Sequence, residues 1–117
     1  MFNFLKKKRD KIEQMPRDIL AKIEDDFEDD KYQAIEIING ALNATEYLRN
    51  DRIIRCIIFL ADKDIQKLKK SIEIGRTDPR DVMYWAEYVN RKSLDNNKRV
   101  RDFNKRFDQN DLTIKDE

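Results

Sequence analysis

Histidine is absent from the 117 residues of this chain, and cysteine occurs only once, at Cys56. Without histidine the chain lacks the commonest general base, the side chain that titrates near neutral pH, and the imidazole ligand of most metal sites. A single cysteine forms neither an internal disulfide nor a thiolate zinc site, and this usage fits a reducing compartment. These absences exclude most familiar catalytic sites, so we expect a protein that is not an enzyme and needs no cofactor.

Glycine and proline are also scarce, at two residues each. Few turn-forming residues, and short apolar sets separated by charged ones, are typical of helical proteins rather than of sandwiches or barrels. No apolar run reaches the roughly 18 residues that a bilayer-spanning helix needs. The N-terminus places its basic run after its apolar residues, the reverse of a secretory signal, so we expect a cytoplasmic protein.

Neither sign of charge dominates, because 25 Lys and Arg oppose 24 Asp and Glu, for a net charge of +1. Because the charges balance, the net charge of the whole chain does not indicate which class of partner the protein binds. The distribution along the chain is uneven, however: residues 1–17 and 98–106 are basic, and residues 18–33 are acidic. Patches of opposite sign on a neutral body can steer a partner and fix its orientation.

Helical spacing of the apolar residues predicts an all-α fold, a compact bundle of about five helices built from antiparallel pairs. The predicted helices span 16–29, 31–48, 51–61, 65–75 and 79–89. The third is apolar on almost every side, which predicts that it is enclosed by the others. The expected organisation is a basic N-terminal segment (1–15), a helical domain (16–90) and a charged C-terminal tail (91–117) that is partly ordered at best, with at most one short docked helix around Val100, Phe103 and Phe107.

Local signals add detail at the helix ends. Asp64 and Asp78 are predicted N-caps, the second followed by a proline at the first helical position. Gly75 is predicted to end its helix as a left-handed C-cap. Gly40, inside the second helix, predicts a close helix crossing.

The helix over 79–89 carries the first functional candidate. Its core stripe is predicted to be Val82, Trp85, Ala86 and Val89, which leaves a second set on an outer face, where two tyrosines stand at i and i+4. Tyr, Met and Arg are the residue types enriched at protein interfaces. We therefore predict a small protein-binding module of the inhibitor, immunity or adaptor type, with the binding residues Arg80, Met83, Tyr84, Glu87 and Tyr88. The alternative is that the C-terminal tail folds back and covers this face.

The stretch 98–107 supports a second class of function, because it mixes cations with aromatic side chains. Such a mixture grips phosphates and stacks on unpaired bases. The candidate nucleic-acid-binding residues are Lys98, Arg99, Arg101, Phe103, Lys105 and Arg106. The competing interpretation is a solvated tail held down by its two phenylalanines.

Three further candidates are weaker. Asp25 with Glu28, and Asp78 with Asp81, have the spacing of paired magnesium ligands in a nucleotide hydrolase, although capping accounts for the second pair. Cys56 lies in the most apolar helix and is expected to be a structural thiol. The basic N-terminal segment has the composition of a membrane-surface helix, but it is short, and we do not expect membrane binding.

Overall fold

The structure, a computed structural model, describes residues 15–88 and 98–113. These residues form five α-helices, which we number in chain order, and three short 3₁₀ turns at Glu28–Asp30, Glu46–Leu48 and Phe107–Gln109. The helices are α1 (Arg17–Phe27), α2 (Lys31–Ala44), α3 (Asp51–Ala61), α4 (Ile65–Thr77) and α5 (Pro79–Glu87). Within the described ranges no strand forms, and the one β-type pairing is an isolated antiparallel bridge between Tyr88 and Arg99. The predicted all-α bundle is confirmed.

Helix α3 lies at the centre of the bundle, as its apolar sequence predicts. Every side chain from Ile53 to Phe59 is buried, and so is Ala61. The helix packs most extensively against α4 and α5, and also against α1. The buried run includes a charged residue, Arg55, at 6% exposure, whose partners are described below.

Side chains cap the N-termini of α3, α4 and α5. Asn50 accepts hydrogen bonds from the backbone N–H groups of Arg52 and Ile53 at the start of α3. Asp64 caps α4 and Asp78 caps α5 in the same way, so both predicted N-caps are confirmed. Such caps satisfy backbone donors that have no partner inside the helix.

Three helices end earlier than predicted, the first being α1, which ends at Phe27 before the 3₁₀ turn Glu28–Asp30. Helix α2 ends at Ala44, because Thr45 is extended (φ −135°, ψ 99°) and a 3₁₀ turn follows. Helix α5 ends at Glu87, because Tyr88 is extended and pairs with Arg99. Val89, predicted to lie on the core stripe, falls outside the described residues.

The predictions for the two glycines are wrong. Gly75 lies inside α4 rather than at its end, and neither glycine has a positive φ. The close approach occurs at Gly75, where a Cβ would lie 3.4 Å from Leu48 Cδ2 and 3.5 Å from Ile57 Cδ1. A Cβ on Gly40 would meet no atom within 4 Å. A Cβ at position 75 would therefore sit in van der Waals contact with no room for a longer side chain, whereas in α2 glycine only weakens an exposed helical position.

We expect Gly40→Ala to raise the free energy of unfolding by about 1 kcal/mol, because Ala has the higher helix propensity and open space is available. Gly75→Leu should lower it by about 1–3 kcal/mol, because its added carbons would crowd Leu48 and Ile57. Urea unfolding followed by circular dichroism measures both changes. Effects of the opposite sign would contradict this account of the two positions.

The segment 98–113 is packed onto the helices. Phe103 is fully buried and Phe107 is 5% exposed, and both belong to the hydrophobic core. The Phe103 ring lies 5.5 Å from that of Phe59 on α3 and 5.6 Å from that of Phe107. The folded unit thus extends beyond the helical domain of residues 16–90, and this segment decides which polar side chains reach the surface.

Candidate functional site

The outer face of α5, together with Tyr88 directly after the helix, carries four of the five predicted partner-binding residues. Tyr84 and Tyr88 are half-buried, and their rings stack with centroids 5.0 Å apart and planes inclined by 24°. Met83 is also half-buried, whereas the Arg80 side chain is 83% exposed and forms an ion pair with Asp78. We call these four residues, Arg80, Met83, Tyr84 and Tyr88, the tyrosine face.

The predicted exposure of Glu87 is wrong. Its side chain is fully buried, and its carboxylate accepts hydrogen bonds from the Arg52 guanidinium (Nε to Oε2, 3.0 Å) and from the backbone N–H of Phe103 (2.9 Å). Arg99 approaches the same carboxylate at 3.3 Å. Glu87 follows the core residue Ala86 directly in the helix, and the returning C-terminal segment covers this side of α5. Glu87 thus joins α5, α3 and the C-terminal segment.

The backbone around Glu87 is fixed to the same segment. Its carbonyl oxygen accepts hydrogen bonds from the N–H groups of Val100 (2.7 Å) and Arg101 (3.1 Å). The neighbouring Tyr88 forms the bridge to Arg99. The C-terminal end of the tyrosine face is therefore held in a defined position.

Arg101, predicted to contact phosphates, is also buried. Its Nε donates to the Ala86 carbonyl (2.7 Å), and its Nη1 donates to the Thr113 carbonyl (2.9 Å). The guanidinium lies 4.4 Å from the centroid of the Phe59 ring. A guanidinium held in this way stabilises the fold and does not reach a phosphate in solution.

Phe103 is enclosed by Phe59 and Phe107 and is not open to a nucleobase. Its predicted place on a nucleic-acid-binding surface is therefore wrong, as is that of Arg101. The other four candidates, Lys98, Arg99, Lys105 and Arg106, are exposed. Arg99 forms an ion pair with Asp102 at 2.9 Å, and Arg106 forms one with Asp108 at 3.2 Å.

A second buried ion pair holds the C-terminal segment against α1. The Arg55 guanidinium donates to both carboxylate oxygens of Asp18, at 2.9 and 3.0 Å, and to the Phe103 carbonyl at 3.1 Å. Burial opposes the ionisation of Asp18, but hydrogen bonds from Arg55 and from the Phe107 N–H outweigh it, so the pKa of Asp18 lies below its usual value. The stability that Asp18 contributes is therefore present above the ordinary carboxyl pKa and is lost as the pH falls through the lowered one.

Sequence reasoning missed the roles of Arg55, Glu87 and Arg101. One signal was available for Arg55, because a charge within a helix that is apolar on nearly all sides has to be paired. Glu87 and Arg101 carry no comparable signal. Their burial depends on where the C-terminal segment lies.

The candidate catalytic groups differ in burial and in their partners. Burial, reinforced by the negative charge of Glu87, raises the pKa of the Cys56 thiol above its usual value. Asp25 and Glu28 are exposed, and Asp78 is engaged as the α5 cap and as the partner of Arg80. Among the residues that the structure describes, no group of three or more acidic or cysteine side chains is arranged to hold a metal ion.

The membrane candidate, the basic segment 1–15, falls outside the described residues except for Met15, which is buried. None of the helices in the described ranges combines the length and the apolar character needed to cross a bilayer.

Comparison of this chain with protein-family models, with curated proteins and with solved structures finds no match to any of the three.

Proposed function

We propose that the chain is a non-catalytic module that binds another protein through the tyrosine face, in the manner of an inhibitor, an immunity protein or an adaptor. The observation that carries the proposal is the stacked pair of Tyr84, on α5, and Tyr88, which directly follows the buried Glu87 at the end of that helix. Tyrosine supplies a large amphipathic contact area, and it is enriched among the residues that dominate binding energy.

Preorganisation supports this choice of surface. Side chains that become ordered only on binding lose conformational entropy, and this loss weakens the complex. The two tyrosine rings already restrict each other, and the extended backbone of Tyr88 is already paired with Arg99. The exposed Arg80 lies on this face, paired with Asp78, and favours a partner that presents a carboxylate near its apolar contacts.

The nucleic-acid alternative relies on fewer groups. With Arg101 and Phe103 inside the fold, it is left with the four exposed cations at positions 98, 99, 105 and 106, two of them in ion pairs. Base stacking by Phe103 is no longer part of it. Binding through these cations would fall steeply with salt, because it would depend on phosphate contacts.

The double variant Tyr84→Ala/Tyr88→Ala tests the proposal. We expect it to weaken partner binding at least about tenfold, since contacts of this type are commonly worth 2 kcal/mol or more. We expect its melting temperature to stay close to that of the native protein. The measurement is quantitative capture from a lysate of the source organism, with nuclease and at low and high salt, followed by titration of the captured protein.

The matched control is Tyr32→Ala, which removes a 71% exposed tyrosine from α2. It should leave capture unchanged. If the double variant unfolds, Arg80→Ala supplies the second test, because that side chain extends into solvent from the same face. Equal capture by native protein, Tyr84→Ala/Tyr88→Ala and Arg80→Ala would refute the tyrosine face, and salt-sensitive recovery of nucleic acid alone would favour the alternative.

A further inference from the structure

A cavity of about 230 Å³ lies between the C-terminal half of α2 and the start of α3, and shares no lining residue with the tyrosine face. Its lining residues are Met15, Asn39, Leu42, Asn43, Arg49, Asp51 and Ile54. The volume equals that of roughly eight water molecules in the liquid, and is below the range typical of drug-sized ligands. The space is large enough for a small ring compound.

Asn39 is the unusual residue of the cavity. It is 8% exposed, yet its side-chain amide makes no hydrogen bond with any part of the chain that the structure describes. No fully enclosed side-chain nitrogen or oxygen in those ranges lacks a partner. The Asn39 amide atoms must therefore be open to the cavity that this residue lines. The amide is therefore within reach of water or of a small molecule that enters the cavity, and it offers that molecule both a donor and an acceptor.

The surroundings of Asn39 combine apolar walls with two charges. Leu42, Ile54 and Met15 supply the apolar surface. The Arg49 Nε donates to the Leu42 carbonyl at 2.9 Å, which anchors the guanidinium to the end of α2. Asp51 is exposed at the first position of α3 and forms no ion pair within the described ranges.

We propose that this cavity binds a small planar molecule whose edge presents a donor and an acceptor side by side, the chemistry shared by nucleobases and primary carboxamides. An asparagine amide has a donor and an acceptor in the same arrangement, so it pairs with such an edge through two parallel hydrogen bonds. The apolar side chains contact the ring, and a planar guanidinium such as that of Arg49 stacks on it. Asp51 accepts from a further donor of the ligand.

Uracil, adenine and nicotinamide are the probes, each added at millimolar concentration to the full chain labelled with ¹⁵N. We expect at least one of them to produce saturable shifts of the Asn39 side-chain amide and of the Leu42 and Ile54 backbone signals. The identity of the probe that binds shows whether the ligand is a nucleobase or a carboxamide. In the uracil arm, 1,3-dimethyluracil is the matched control, because it keeps the ring but lacks both N–H donors.

Asn39→Leu should weaken the binding of that probe at least tenfold while the melting temperature without probe stays equal or rises, because no partner of the amide is lost. If leucine does not fit, Asn39→Ala removes the amide with less volume. Gln33→Ala, on the exposed side of α2, should bind as the native chain does. The proposal is overturned if no probe shifts the Asn39 amide, or if binding persists in the Asn39 variants.

Discussion

Glu87→Ala should lower the free energy of unfolding by about 3 kcal/mol, the lower end of the range for breaking a buried ion pair. The fully buried carboxylate is the acceptor for Arg52 and for the Phe103 N–H, so its removal leaves a buried donor without a partner. The lower end applies because the Arg52 side chain is 29% exposed and regains water. Urea unfolding measures the loss, and hydrogen exchange at the Phe103 amide should become faster.

Two further variants serve as controls for Glu87→Ala. Glu87→Gln keeps the shape and one acceptor oxygen, and it should cost less than Glu87→Ala. Glu73→Ala removes a carboxylate whose ion pair with Arg76 is exposed, and it should change the stability by no more than about 1 kcal/mol. Equal effects of Glu87→Ala and Glu73→Ala would mean that Glu87 is not a structural acceptor.

Phe103→Ala should destabilise the protein by about 3–5 kcal/mol, the usual cost of emptying a buried aromatic site. Phe103 is fully buried against Phe59 and Phe107, so the truncation leaves a cavity beside α3. The carbonyl of the same residue accepts from Arg55, and its N–H donates to Glu87. Loss of its ring therefore loosens both buried ion pairs. Thermal and urea unfolding monitored by circular dichroism give the magnitude.

Tyr32→Ala is the comparison for this variant, because it removes an aromatic ring that is 71% exposed. Its effect should stay within about 0.5 kcal/mol, as is usual for surface substitutions. A native-like stability of Phe103→Ala would show that the C-terminal segment is not part of the cooperative unit.

The two results bear on the tyrosine face as well. Glu87 fixes the backbone next to Tyr88, and the C-terminal segment supplies Arg99 as the pairing partner of Tyr88. A loss of partner binding in Glu87→Ala would therefore reflect altered positioning of Tyr88 and not a direct contact. This is why the binding test uses Tyr84, Tyr88 and Arg80, whose side chains lie on the outer face.

The sequence predicts where the candidate site lies, but it does not predict which of the assigned side chains are exposed there. Spacing at i and i+4 predicts that Tyr84 and Tyr88 share a face of one helix, and the rings do stack, although α5 ends one residue before Tyr88. The same helical periodicity assigned Glu87 to that face, because it describes one helix without its neighbours. The burial of Glu87 results from the C-terminal segment, which contributes the Phe103 N–H and Arg99.

The sequence by itself determined the helical class, the central position of α3 and the caps at Asp64 and Asp78. These features depend on interactions within a few residues along the chain and on the balance of apolar residues around each helix. Only the tertiary structure decided which charged side chains pair with one another across the bundle. The carboxylate of Glu87 and the guanidinium of Arg52 are 35 residues apart in sequence, and Asp18 and Arg55 are 37 apart. No periodic pattern encodes these two pairings, because each depends on a segment that is distant along the chain.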